Sequence, residues 1–291
     1  MDAREFEFTP HDFATVRKLI YERAGISLSE AKTDMVYSRL GRRLRVLGLN
    51  SFKTYLEYLQ NEKNPDEWEA FTNSLTTNLT SFFREEHHFP ILMEHIQHIK
   101  TPITIWCSAA STGEEPYTIA MTACEAFGTL TPPVKIIATD IDTNVLATAA
   151  RGVYPEDRLS KMSATRCKTF FQRGKGSQEG LVRVRNELRE MITFQQLNLL
   201  ADTWPLREPF DAIFCRNVMI YFDKPTQAKI LAKFVPLMKP EAILFAGHSE
   251  NFLYVSDALK LRGKTVYELS KPGMASGKPK LFTQRDEADL A

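Results

Sequence analysis

The period of the hydrophobic pattern changes near residue 79, and that change constrains the fold of this 291-residue chain more than any other feature. Before it, apolar residues recur at helical spacing over Pro10 to Ala24, Ser29 to Leu47, Ser51 to Gln60 and Asp66 to Asn78, broken by Gly25, Gly48 and Asn64-Pro65. After Phe89-Pro90, short apolar runs alternate with helical segments. The runs are ITIWC, VKIIATD, MITFQQLNL, FDAIFCRN and AILFAG, with helices over TIAMTACEAF and around Val145 to Ala150. Strands without a polar face, separated by helices, form a parallel sheet covered on both sides. The expected organisation is a helical domain over 1–78, a linker over 79–89 and an α/β domain over 90–270. A small antiparallel excursion is expected within it at 171–195, where glycines precede LVRVR. Residues 271–291 lack periodicity and read as a flexible tail.

Composition removes several classes of function. Net charge is +1, so any attraction to nucleic acid or membrane must be local. Cys107, Cys124, Cys167 and Cys215 lie far apart in or beside apolar runs with no C-x-x-C pair, which suits reduced core thiols rather than disulfides or zinc ligands. The acidic start MDAREFEF does not resemble a signal peptide, and no apolar run reaches the ~18 residues of a membrane span. The expectation is a cytoplasmic protein.

Chemistry concentrates at the carboxyl ends of the strands. ITIWC runs into the small residues Ser108 to Gly113, which let a ligand approach the backbone, and then into Glu114-Glu115-Pro116. Carboxylates beside that turn repel a pyrophosphate and favour an amino or sulfonium cation, and neither G-x-G-x-x-G nor G-K-[ST] is present. An acidic first turn with proline is also ordinary helix-start chemistry. The next strand ends in Asp140, where nucleoside-binding folds place a carboxylate for ribose hydroxyls. FDAIFC runs out into Arg216, Asn217 and Tyr221, although Tyr221-Phe222 also fits a hydrophobic lid on the following helix. Before the sheet, TTNLTSFFRE mixes hydroxyls, aromatics and Arg84, a composition poor for a helix interior; it suits a segment that folds over a ligand, or an interdomain linker.

Two further groups stand apart. Lys32, Arg39, Arg42, Arg43 and Arg45 lie on the helix face opposite Val36, Leu40, Leu44 and Leu47, which favours docking onto an acidic surface. His87, His88, His95 and His98 have no completing carboxylate motif, so the expectation is a solvated face and no metal.

Taken together, TTNLTSFFRE, CSAASTGEEPYTIAM, ATDID, NLL, CRNVMIYF and GHSEN resemble the chemotaxis receptor methyltransferase family, CheR, from about Phe8 to Leu269. The resemblance implies a class I S-adenosylmethionine-dependent methyltransferase: a Rossmann-like, mostly parallel seven-stranded sheet whose last strand is antiparallel, with an all-α N-terminal domain and a small antiparallel β-subdomain. It implies that Asn78, Thr80, Arg84, Glu115, Asp140, Asn198, Leu199, Arg216 and Asn217 contact the cofactor. Asp140 would hold the ribose and Glu115 would lie near the methionine end. Arg84 and Tyr221 match positions beside the transferring methyl. QRGKGSQEGLVRV resembles a subdomain that binds a peptide at the receptor C-terminus, with Gly174, Gly176, Gly180 and Arg183 in matching positions. The partners implied are methyl-accepting chemotaxis receptors, through their helical bundle and C-terminal peptide. The activity implied is glutamate methyl esterification by a cytoplasmic enzyme recruited to receptor arrays. An RNA methyltransferase using the basic face on phosphates, or a module that binds S-adenosylmethionine without transfer, are the alternatives.

Overall fold

The structure, a computed structural model, describes residues 4–61, 65–100, 102–207 and 209–270, so the tail expected at 271–291 lies outside the described residues. Helix α1 (Pro10–Ala24) starts where Thr9 and Asp12 cap each other: Thr9 Oγ1 accepts from Asp12 N at 3.1 Å and Asp12 Oδ2 accepts from Thr9 N at 2.9 Å. It ends at Gly25, whose φ of 68° favours glycine. A 3₁₀ turn leads into α2 (Thr33–Leu47), followed by α3 (Phe52–Asn61) and α4 (Pro65–Leu75). Val16, Ile20, Val36, Leu40, Leu44, Phe52, Tyr55 and Phe71 close the helical core with no exposed surface, each burial worth ~1.5–3 kcal/mol. Helix α4 stops at Leu75 rather than Asn78 because Thr76 and Asn78 turn their side chains onto Asp142.

Past the linker come α5 (His88–Gln97), β1 (Ile103–Cys107), α6 (Glu114–Phe127), β2 (Val134–Asp140), α7 (Thr143–Arg151), β3 (Val153–Pro155), α8 (Ala164–Phe170), β4 (Phe171–Arg173), β5 (Leu181–Val184) and α9 (Asn186–Glu190). The chain then forms β6 (Ile192–Gln196), β7 (Phe210–Cys215), α10 (Lys224–Phe234), β8 (Met238–Ala246), β9 (Leu259–Gly263) and β10 (Val266–Leu269). Seven strands make the main sheet in the order β6-β2-β1-β7-β8-β10-β9, with β10 antiparallel to both neighbours. Winding reverses between β6 and β7, so the carboxyl ends of β1 and β7 open into the crevice where such sheets bind ligands.

Two sequence expectations need correction, and one hairpin went unmarked. The small sheet, β3-β5-β4, begins at Val153 rather than 171, and 192–196 belongs to the main sheet; β3, three residues long and ending in Pro155, is too short to show a period. Strands β9 and β10 form a hairpin over Lys264-Thr265, both at positive φ without a glycine, so no turn signal marks them. The histidine face is solvated only at His87 and His98. His88 is fully buried, with Nε2 3.0 Å from Lys264 O, and burial lowers it to about 4, so it is neutral near pH 7. His95 Nε2 meets Asp211 O at 3.0 Å. All four cysteines are free thiols.

Candidate active site

The turn after β1 is built for close approach. Ser108 N donates to Phe214 O and Ala110 N to Thr139 O, both at 2.8 Å, pinning the turn to the flanking strands. Gly113 has φ 101°, and a Cβ there would lie 2.7 Å from Tyr154 Oη and 2.8 Å from Ala149 Cβ. Ser111 N donates to Asp140 Oδ2 at 2.8 Å, and Asp142 N donates to Asp140 Oδ1 at 3.0 Å. Burial pushes the Asp140 carboxyl up to about 6, with those N–H groups opposing the rise. Each oxygen keeps a lone pair for a ligand hydroxyl.

Helix α6 sets Glu114 and Glu115 against protein partners rather than solvent. Glu114 is 1% exposed and bonded by Arg158, whose guanidinium also donates to Thr80 O at 2.9 Å. Glu115 accepts from Arg216 Nη1 at 2.5 Å and from the Cys107 thiol at 3.3 Å. Burial pushes the Glu115 carboxyl up, and the Arg216 charge opposes this. Arg216 also donates to Arg84 O and lies 3.4 Å from Glu85 Oε2, so one cation ties β7, α6 and the linker together.

Two carboxylates that the sequence did not single out hold the β7 exit loop. Glu250, from the GHSEN segment, accepts from the N–H groups of Asn217 (2.9 Å), Val218 (2.9 Å), Met219 (2.7 Å) and Gly247 (2.5 Å). Burial pushes the Glu250 carboxyl up, with the four N–H groups opposing. Glu85 accepts from Asn217 Nδ2 at 3.1 Å and His248 N at 3.1 Å. Burial pushes the Glu85 carboxyl up, but the Asn217 hydrogen bond and the Arg216 charge outweigh it and hold the group below the ordinary range. Asn217 takes φ 58°, a strained backbone that this double grip sustains.

One cleft of about 410 Å³ gathers Asn78, Thr80, Arg84, Glu115, Asp140, Asn198, Leu199, Arg216, Asn217 and Tyr221. Its size falls in the ~300–1,000 Å³ range of small-ligand sites. The helical domain supplies the opposite wall, with Ile26 to Ser29, Lys32 and Met35. Nothing in the sequence marked that wall except the glycine ending α1. Three interdomain hydrogen bonds hold it: Ser27 N to Tyr221 O at 2.9 Å, Tyr21 Oη to Asp223 Oδ2 at 2.6 Å, and Asn198 Nδ2 to Arg23 O at 2.8 Å. Arg84 Nη1 donates to Leu79 O at 2.9 Å, folding the linker on itself at the cleft wall.

The basic group of α2 is not gathered into a free face. Arg39 donates to Thr76 O at 2.5 Å, Arg43 forks onto Glu67 at 3.2 and 2.5 Å, and Arg45 pairs with Glu5 at 2.5 Å. Lys32 lines the cleft, and Arg42 is exposed with no ion-pair partner among the described residues. Helical spacing reports a face but not the carboxylates folded against it. Gly174, Gly176 and Gly180 lie in the β4–β5 connection and Arg183 on β5, away from the cleft lining, with Gly176 and Gly180 at φ 60° and 81° and Arg183 exposed. Among the described residues, no group of His, Cys, Asp and Glu is arranged to hold a metal.

A seven-stranded sheet with one antiparallel strand, an acid at the end of β2 and a small-residue turn followed by two glutamates define a class I S-adenosylmethionine-dependent methyltransferase. At the strand ends the cleft presents the carboxylates of Asp140 and Glu115, the latter paired with Arg216, and Arg84 and Lys32 complete its charged lining. Residues 78–267 match the family described as "CheR methyltransferase, SAM binding domain", and residues 11–76 match "CheR methyltransferase, all-alpha domain". The chain belongs to the CheR methyltransferase family, and its cofactor is S-adenosylmethionine. It is 54% identical to the "Chemotaxis protein methyltransferase" of Escherichia coli (strain K12), over 89% of this chain and 91% of that one. It is 53% identical to the "Chemotaxis protein methyltransferase 2" of Pseudomonas aeruginosa, over 91% and 95%. A "Chemotaxis protein methyltransferase" of Borreliella burgdorferi is 36% identical over 83% and 88%. These relatives do not favour the RNA-modifying or non-catalytic alternatives.

Proposed function

We propose that this chain transfers methyl groups from S-adenosylmethionine to glutamate side chains on the cytoplasmic helices of bacterial chemotaxis receptors. The observation that carries the reading is the single cleft that brings Arg84 and Tyr221 to the same cavity as Asp140 and Glu115. Full-length similarity to chemotaxis protein methyltransferases supports the receptor as substrate.

When bound, the cofactor supplies an electrophilic methyl on a sulfonium. A glutamate carboxylate oxygen forms the new C–O bond as the S–C bond breaks, giving a methyl ester and S-adenosylhomocysteine. The acceptor is ionised near neutrality, with a reference pKa of about 4.3, so no strong base is required. What the protein supplies is orientation and exclusion of water. Asp140 takes the ribose hydroxyls, Asn198, Leu199 and Asn217 wall the nucleoside, and Glu115 faces the methionine end with Arg216 behind it. Asn78 and Thr80 cover the cofactor from the linker. Arg84 orients the linker and the acceptor by a one-sided contact, since a two-pronged grip on both oxygens would blunt the nucleophile. Tyr221 places its hydroxyl and ring beside the methyl. Arg42 and Lys32, with Arg39 held by backbone carbonyls and Arg43 and Arg45 as neutralised neighbours, meet the acidic receptor helices. Gly174, Gly176, Gly180 and Arg183 receive the receptor's C-terminal peptide, which concentrates the enzyme at receptor arrays without adding a contact at the reacting atoms.

The test is transfer of label from S-adenosylmethionine to receptor-containing membranes, followed by mild base. Release of label as methanol is the expected result, and base-stable label would rule out an ester. Tyr221→Phe is expected to lower kcat by about tenfold or more at saturating cofactor; full activity would remove the hydroxyl from the mechanism.

A further inference from the structure

Asp142 does not line the cleft, yet the segment around it stitches the helical domain to the cofactor site. Ile141 packs against the helical-domain core, and the Thr143 hydroxyl donates to Glu69 of α4. Asp142 itself is 3% exposed, and its two oxygens have separate tasks. Oδ1 accepts from Asn144 N at 2.9 Å and Val145 N at 3.3 Å, which caps α7. Capping needs only that oxygen. Oδ2 accepts from Thr76 Oγ1 at 3.0 Å and Asn78 Nδ2 at 3.0 Å, both from the segment that covers the cleft. The Thr76 hydroxyl has one proton for two acceptors, Asn73 O at 2.9 Å and this carboxylate, and the charged acceptor is the stronger draw. The Asp142 backbone N–H completes the link by donating to Asp140 Oδ1 at 3.0 Å.

We propose that Asp142 is a positioning residue for the cofactor: it holds Thr76 to Asn78 closed over Asp140 and thereby sets how long cofactor and product are retained. The inference rests on the reading of Asp140 as the ribose acceptor. A buried carboxylate is costly unless donors surround it, and here half of the donors belong to the Thr76 to Asn78 segment at the end of the helical domain. Opening that segment therefore leaves Oδ2 without its partners, which favours the closed arrangement.

Asp142→Asn separates the two tasks. Asparagine caps a helix as well as aspartate does, so α7 is retained. Its amide NH₂ then faces Asn78 Nδ2, donor against donor. Dissociation of S-adenosylhomocysteine, followed by stopped-flow displacement, is expected to accelerate about tenfold while association changes less than about threefold. The melting temperature and kcat at saturating cofactor are expected to stay near wild type, a separation that a merely structural role would not produce. An off-rate within about twofold of wild type, or a loss of affinity carried by slower association, overturns the proposal. If Asp142→Asn does not fold, Thr76→Val removes one of the two donors to Oδ2 and is read the same way. Asp140→Ala, measured alongside, separates the two levels. Unchanged affinity in Asp140→Ala sinks the ribose reading itself, whereas its loss together with a wild-type off-rate in Asp142→Asn sinks only the positioning role.

Discussion

Asp140 is held between two demands. Its position at the end of β2 buries it, which raises its pKa to about 6, while the ribose hydroxyls that we propose it holds would need its ionised form as acceptor. The native pKa lies above the ordinary value of 3.8, so native Asp140 binds its proton more tightly than the unfolded chain does. Its contribution to the stability of the ligand-free protein is full below about 3.8, falls as pH rises through about 6, and is constant above that. Cofactor binding runs in the opposite direction. Affinity for S-adenosylhomocysteine is expected to weaken by up to about tenfold per pH unit below about pH 6 and to level off above about pH 7. Calorimetric titration across that range checks it. Asp140→Asn should bind more weakly than wild type above about pH 7, lose the dependence and converge with wild type at acid pH; a wild-type affinity that stays flat through pH 6 would contradict this account. Strand-end position made Asp140 legible from sequence. Asp142 caps α7 and Glu250 takes Gly247 N locally, but the contacts by which Glu85, Asp142 and Glu250 hold the site come from residues 30 to more than 160 positions away, which no local pattern announces.

At the scale of elements, the site is held by loop exits rather than by helices or strands. Glu250 gathers four N–H groups around the exit of β7, and Gly247 must be glycine because a Cβ there would collide with Asn217 Nδ2. Glu250→Gln puts an NH₂ where an oxygen now accepts, so about 1–3 kcal/mol of stability should be lost, with a lower kcat, by chemical denaturation and turnover respectively. On the other wall, the end of α1 rests on the same loop. Gly25 has φ 68°, and a Cβ would lie 2.8 Å from Leu200 Cδ1 and 3.1 Å from Phe222 Cδ1. Gly25→Ala should cost about 1–2 kcal/mol and displace Ser27 from the Tyr221 carbonyl, lowering kcat more than cofactor affinity. Equal loss of both would mean that the wall serves the cofactor alone. The helices around these loops were readable because period and caps are local signals: Pro10 to Ala24 is α1 residue for residue. Strands β3, β9 and β10 were not: β3 has only three residues, and LKLRG and VYEL lack the continuous apolar run that marked β1 and β7.

For the whole molecule, the arrangement of parts decides how the proposed receptor-peptide site can be tested. Removing residues 174–185 looks like trimming a loop on the sequence, but β5 within that span buries Val182 and Val184 in the main core beside Tyr154 and Phe171. The first segment of the small sheet also reaches the cofactor side, where Tyr154 Oη donates to Thr112 O at 2.7 Å and Arg158 bonds Glu114 and the linker. A deletion would therefore open the core and loosen the cofactor turn together, and a loss of activity would say nothing about tethering. Arg183 offers a cleaner change. It is exposed on β5 between two inward valines, has no ion-pair partner among the described residues, and can be reversed in charge without touching the core. Arg183→Glu is expected to lower kcat/KM about tenfold or more on receptors that carry the C-terminal peptide, because the lost tether lowers effective concentration rather than chemistry. Turnover on receptors lacking the peptide and affinity for S-adenosylhomocysteine should stay near wild type. Equal losses on both kinds of receptor would place Arg183 in general receptor docking, and no loss on either would remove the small sheet from peptide binding.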